Sequence, residues 1–174
     1  LIVSSYQRFP LLRFLFFIVL VRVFVAGDLE LSPDEAYYWN WSRHPDWSYY
    51  DHPPMIAWLI GVSTFFGGPS ELWVRMPVIV LSLGLSAVVY QWAASFCPTS
   101  QAVRSKAVVW LNVILIFSVG GVVATPDTPL VFFVTLTLYG LCKALFENKP
   151  FFWCFSGFSF GLALLSKYTA FLLL

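Results

Sequence analysis

The sequence predicts an all-α, polytopic transmembrane protein, and three observations carry that prediction. Hydrophobic residues make up 59% of the 174 residues and charged residues 11%, with a mean hydropathy of +0.78. A soluble domain is about half apolar and about a quarter charged. The apolar residues also fall in runs on the scale of the about 20 helical residues that cross a hydrocarbon core of about 30 Å. The acids, by contrast, gather in one loop that begins at Asp28 and ends at Asp51-His52-Pro53-Pro54.

Five spans are expected, at residues 11–26, 72–96, 107–124, 130–146 and from 151 to the end. The run 55–66 is too short to cross; with Trp58 inside it and Gly67-Gly68-Pro69 after it, it reads as a helix lying in the interface. Residues 28–71 then form a first outward loop with short interfacial helices. A signal peptide does not fit the first run, which carries Arg13 and Arg22 and has no small-residue cleavage site before the acidic loop. The chain opens at Leu1 and closes inside an apolar run, as expected of the N-terminal part (residues 1–174) of a longer membrane domain.

Lysine and arginine set the orientation. Arg8 and Arg13 lie at the start of the first span, Arg104 and Lys106 between the second and third, and Lys143 and Lys149 around the turn between the fourth and fifth. The positive-inside rule puts these in the cytoplasm. The loop 28–54, the turn 125–129 and the end of the fifth span then face outward, to the periplasm or its equivalent, as in a bacterial inner membrane. Cys97, Cys142 and Cys154 fall near the inner face with no CxxC or metal spacing and read as ordinary reduced thiols.

The outward loop has its own local grammar. Ser32 is a good N-cap, Pro33 suits the first helical position and Glu35 stands at the third, which makes Ser32-x-x-Glu35 a capping box. Asp34 and Tyr38, at i and i+4, share a face of the helix that follows. Capping accounts for Glu35, and a glutamine there is expected to be mild; Asp34 has no such duty and is the stronger candidate for chemistry. Tyr37, Trp39, Trp41, Trp47, Tyr49 and Tyr50 resemble an interfacial aromatic belt, with Tyr38 kept as a ligand contact. Asn40-Trp41-Ser42 matches a glycosylation sequon.

Asp51-His52 places a carboxylate beside an imidazole just before two prolines. The pair could bind a divalent metal, position a phosphate or form a solvated turn. Asp127, in Thr125-Pro126-Asp127-Thr128-Pro129, joins two spans and could cap the second of them or act in the site. Lys167 lies about 24 Å along its helix from Phe151, in the outer part of the membrane, where a cation is costly unless paired. Arg22 and Arg75, near the outer ends of their spans, could snorkel, and Gly157-x-x-x-Gly161 suggests a helix-packing face.

Five motifs in order, Pro-Asp-Glu-Ala-Tyr-Tyr-Trp from Pro33, Tyr-Asp-His-Pro-Pro from Tyr50, Val74-Arg75-Met76-Pro77, Thr125-Pro126-Asp127-Thr128-Pro129-Leu130 and the stretch from Gly161 to Tyr168, resemble the N-terminal half of glycosyltransferase family 39. That group includes the protein O-mannosyltransferases and is similar to the aminoarabinose transferases that modify lipid A. The resemblance implies a GT-C fold with its site on the first outward loop. It also implies a polyprenyl-phosphate sugar donor and inverting transfer to an acceptor hydroxyl. Asp34 matches the family's catalytic aspartate, Glu35 its neighbour and Asp127 the second acidic position. Where the aminoarabinose transferases carry Glu-Lys before the two prolines, this chain has Asp51-His52, which leaves His52 or Lys167 to hold the donor phosphate.

The residue chemistry agrees with that implication. Asp34 could serve as base toward an acceptor hydroxyl, and Lys167, His52 and Arg75, or a metal, could stabilise the departing phosphate. The expected partners are the lipid-linked donor, a glycan, lipid or protein acceptor and membrane lipid, with no nucleic acid; a divalent metal is an open possibility. A transporter with Asp34, Asp127 and Lys167 along its path, or a non-catalytic assembly subunit, is the alternative.

Overall fold

The computed structural model describes residues 8–173, with side chains from Pro10 onward; the Arg8 side chain, one of the orientation signals, lies outside the described residues. Among the described residues every regular element is helical: α1 (Arg8–Asp28), α2 (Pro33–Ser42), α3 (Met55–Gly67), α4 (Glu71–Phe96), α5 (Gln101–Val113), α6 (Leu115–Gly120), α7 (Asp127–Phe146) and α8 (Phe151–Ser166), then a 3₁₀ turn, Tyr168–Leu173. Three helices are long and apolar enough to cross a membrane: α1 from Pro10, α4 and α7. The apolar helices α3 and α8 are shorter.

Two expected spans take a different form. The run 107–124 is broken at Ile114, whose extended backbone (φ −60°, ψ 124°) ends α5 and starts the short α6. Val113 and Ile114 are β-branched and weak helix formers, so the apolar run does not secure a continuous helix there. The last helix stops at Ser166, and Lys167 leaves it in an extended conformation (φ −160°, ψ 138°). Hydropathy does not register the break at Ile114, because the residues next to it on both sides are apolar.

The central helix α4 packs against α1, α3, α5 and α7, while α8 packs mainly on α7. Small side chains make the α7–α8 contact close. A Cβ added at Gly140 would stand 2.3 Å from the Ser156 hydroxyl oxygen, and Ser156, Ser159, Ala163 and Ser166, at helical spacing, form the buried seam of α8. Helices without a hydrophobic driving force between them associate through such small-residue packing. Gly157 and Gly161 were the expected packing face, but a Cβ on either would meet open space among the described residues.

At the loop end, α2 and α3 pack on each other and on α4 around Tyr38, Trp41, Ile56, Ala57, Ile60, Val74, Val78 and Ala124. Ile56 and Ile60 are fully buried, each worth roughly 1.5–3 kcal/mol of transfer free energy. Trp41 stacks on Tyr49 with ring centroids 4.5 Å apart, and the Tyr49 hydroxyl is shared between the carbonyls of Trp41 (3.1 Å) and His44 (3.0 Å). Tyr38, Trp41 and Tyr49 therefore build a core inside the loop, whereas Trp47 and Tyr50 are exposed as belt residues would be.

Candidate active site

The capping box forms as the spacing requires. Glu35 N–H donates to the Ser32 hydroxyl (3.3 Å), and Ser32 N–H donates to Glu35 Oε2 (2.9 Å). The helix that this starts sets the directions of its first acids. Asp34 is exposed, while Glu35 points inward and is 1% exposed.

Buried, Glu35 becomes a four-way junction. Arg75 donates from Nε to Oε1 (2.8 Å) and from Nη2 to Oε2 (2.7 Å), and Ala124 N–H donates to Oε1 (2.9 Å). Burial alone would raise the carboxyl, but the Arg75 guanidinium and the N–H groups of Ala124 and Ser32 hold it below its ordinary value. Arg75 spends its remaining N–H bonds on the carbonyls of Ala26 (3.0 Å), Leu29 (2.6 Å) and Glu30 (2.8 Å) at the end of α1. All five donors of its guanidinium are thus engaged. This arginine does not snorkel; it ties α1, α2, α4 and the strap before α7 together. The spacing around Ser32 makes the capping box legible, but a partner 40 residues away leaves no local signal.

The link from Glu35 to Ala124 fixes the strap three residues before Asp127. Pro126 and Pro129 are buried there, and Thr128 Oγ1 donates to the Gly120 carbonyl (2.6 Å), pinning the start of α7 to the end of α6. Asp127 is left exposed at the first position of α7. Because α8 ends at Ser166, Lys167 reaches across, and its Nζ lies 2.7 Å from Asp127 Oδ1. The Ser48 and Tyr168 hydroxyls, 3.3 Å apart, bring the acidic loop against the residue after Lys167.

Tyr38 feels the acids of this end of the bundle. Its phenol is raised by desolvation first, then by the charges of Asp34, Asp127 and Asp51. Three carboxylates from three segments therefore act on one side chain. The raised value keeps Tyr38 a neutral phenol, and its hydroxyl makes no hydrogen bond to another described residue. His52 is half-buried, its ring 6.1 Å from that of Tyr38 between centroids. Asp51 is exposed and acts on Tyr37, whose phenol is raised by desolvation and then by that carboxylate. Among the described residues no group of three or more His, Cys, Asp or Glu side chains could hold a metal ion. Asp51 and His52 would need ligands from elsewhere.

Beside Asp127 a pocket of about 380 Å³ opens between α4, α6 and α7, with Leu81, Ser82, Leu85, Phe117 and Gly121 among its largely apolar lining. Ser82 connects it to Arg22, which is not the snorkelling residue that its place near the helix end suggested. Arg22 is 4% exposed and donates from Nη1 to the Ser82 hydroxyl (2.8 Å).

These features define a polytopic helical membrane protein with a carboxylate-rich site at one end of its bundle, beside an apolar pocket. The chain belongs to the family described as dolichyl-phosphate-mannose-protein mannosyltransferase, whose model matches residues 51–174. The matched region holds Asp51, His52, Arg75, Asp127 and Lys167; Asp34, Glu35 and Tyr38 precede it. The chain is also 29% identical, over 137 residues, to a lipid A galacturonosyltransferase of Rhizobium johnstonii. That similarity covers 78% of this chain and 28% of the relative, so the chain spans less than a third of that protein's length. No solved structure gives a significant match.

Proposed function

We propose that this chain carries the catalytic end of a membrane glycosyltransferase that moves a sugar from a polyprenyl-phosphate donor to an acceptor hydroxyl at the outer face, with inversion. The carrying observation is that Asp34 and Asp127, far apart in sequence, both bear on the Tyr38 phenol, and that Asp127 is paired with Lys167. In this reading Asp34 takes the acceptor proton as the acceptor oxygen bonds to the anomeric carbon. The bond from that carbon to the phosphate oxygen breaks, and its electron pair leaves with the lipid phosphate. A single displacement of this kind inverts the centre. Lys167 and His52 counter the charge that grows on the phosphate, Asp127 orients Lys167, and Tyr38 donates a hydrogen bond.

In this reading Glu35 and Arg75 have a different part, supported by their hydrogen bonds to each other and to the backbone. With every N–H of Arg75 engaged, that arginine supports the loop instead of gripping the donor, and Glu35 holds the Asp34 helix against the Asp127 strap. The name of the relative adds lipid A as the first acceptor and galacturonic acid as the first sugar to test. A transport reading draws on the break at Ile114 and the buried Arg22, but the family described above favours transfer.

The test is to incubate membranes containing the full-length protein with radiolabelled polyprenyl-phosphate sugars and identify the labelled product. Label moving to a glycolipid, glycan or protein supports the reading; no transfer from any such donor overturns it. The face is tested in intact cells with an impermeant thiol reagent. Ser48→Cys, in the loop, should label, and Ala102→Cys, exposed near the start of α5, should not. The reverse pattern would move the site to the other side of the membrane.

A further inference from the structure

Arg22 lies six residues before the end of α1, about 9 Å below the loop along the helix. Its guanidinium is enclosed, yet no carboxylate among the described residues pairs with it. Its hydrogen bond goes to a neutral group, the Ser82 hydroxyl, which in turn donates to the Ile79 carbonyl (2.7 Å). Its Nε is buried with no hydrogen-bond partner among the described residues. A cation inside a membrane bundle is costly until an anion meets it, and such a residue is a functional candidate by default. The contrast with Arg75, which uses all five donors, is sharp.

Position supplies the second half of the argument. Ser82 and Gly121, the residues against which the guanidinium rests, both line the pocket beside Asp127. A Cβ at Gly121 would stand 2.6 Å from both Cζ and Nη2 of Arg22, so only a glycine leaves the guanidinium this close to the pocket wall. The rest of the pocket is largely apolar, apart from Asp127, whose carboxylate is paired with Lys167. An apolar slot with one unneutralised guanidinium behind a serine and a glycine suits an amphiphile whose single charged group is small and anionic.

The geometry points to Arg22, with Ser82, as an anion site that receives the phosphate of a polyprenyl-phosphate lipid in the pocket between α4, α6 and α7. This rests on the transferase reading and adds a phosphate contact distinct from Lys167 and His52. A charge-assisted hydrogen bond in a water-poor site contributes enough that its loss should weaken lipid-phosphate binding by about tenfold or more.

The experiment measures binding of undecaprenyl phosphate, and of undecaprenol as the uncharged control, to the full-length protein in phosphatidylcholine nanodiscs. Arg22→Gln should lose about tenfold or more in affinity for undecaprenyl phosphate and bind undecaprenol as the wild type does. Equal affinity of the folded variant and the wild type for undecaprenyl phosphate overturns the proposal. If Arg22→Gln does not fold, Gly121→Ala decides, because its methyl group must displace the guanidinium: weakened phosphate-dependent binding supports the site, and wild-type affinity makes Arg22 a structural strut. Competition by phosphatidylglycerol as effective as by undecaprenyl phosphate would overturn the assignment to a polyprenyl phosphate. A wild-type protein that transfers sugar but binds the lipid independently of Arg22 refutes this site alone. One inert toward every polyprenyl-phosphate sugar refutes the transferase reading itself.

Discussion

The Glu35–Arg75 and Asp127–Lys167 pairs each join residues 40 positions apart, and the closest N···O distance in each is 2.7 Å. Their surroundings separate them. Side-chain exposure is 1% and 5% for Glu35 and Arg75, against 59% and 27% for Asp127 and Lys167. The buried pair fills its remaining hydrogen-bonding positions with backbone groups from the end of α1, Ser32 and Ala124. The exposed pair keeps open positions on both partners. Equal distance thus says little about role; solvent access and spare bonding capacity decide whether a charge pair holds a site together or can meet a substrate.

The largest expected effect comes from breaking the buried pair. Arg75→Met strands the Glu35 carboxylate and frees the carbonyls of Ala26, Leu29 and Glu30. Removing one partner of such a pair costs about 3–5 kcal/mol, so thermal unfolding of the full-length protein in detergent should shift strongly downward. Glu35→Gln belongs to the same class. It can keep the capping box, but it leaves the Arg75 charge uncompensated, so the mild outcome expected from the box alone gives way to a large loss of stability.

The acid next door should behave in the opposite way. Asp34 is exposed and makes no side-chain hydrogen bond or ion pair to a described residue. Asp34→Asn should therefore leave the unfolding temperature near that of the wild type while lowering sugar transfer by roughly 10²–10⁴-fold, the scale of a positioned general base. Near wild-type turnover would remove Asp34 as the base and turn attention to Asp51 and Asp127.

What could be read from the sequence follows the range of the interaction responsible. The capping box and the apolar helices are properties of neighbouring residues, whereas Asp34 and Tyr38, read as sharing a face, part company: Asp34 is exposed and Tyr38 is buried in the loop core. The levels of Asp127 and Lys167 were also legible, because hydropathy and the rise of a helix place both near one end of the bundle. Their ion pair was not, since it depends on α8 stopping at Ser166. The partners of Glu35, the enclosure of Arg22 and the open side of Gly157 and Gly161 are set by how α1, α4, α7 and α8 pack. A residue's depth along its own helix does not say which neighbour covers it.

Acid sharpens the contrast between the pairs. The Glu35 carboxyl titrates below its ordinary value of about 4.5 in the folded protein. Its stabilising contribution is therefore fully present above that pH and is lost as pH falls through the depressed folded value. Unfolding followed from pH 7 downward should show a stability loss beginning below about 4.5 that is reduced in Glu35→Gln. An identical acid response in the two proteins would show that other carboxylates control it.

The smallest effect on stability is expected at the exposed pair. Lys167→Met removes one partner of a solvent-accessible contact, for which a change of about 1 kcal/mol or less is expected. Its apolar stem can remain against α7, because methionine keeps much of the length and bulk of lysine. The loss should appear in function instead. If Lys167 leaves Asp127 to meet the donor phosphate, the variant should bind the lipid-phosphate donor more weakly, with unfolding close to that of the wild type. Asp127→Asn supplies the complementary measurement: it releases Lys167 without removing its charge, so donor binding should fall less than in Lys167→Met. Unchanged donor affinity in Lys167→Met would reduce the pair to a surface contact at the end of α8, leaving His52 as the next side chain of the loop to test for a contact with the phosphate.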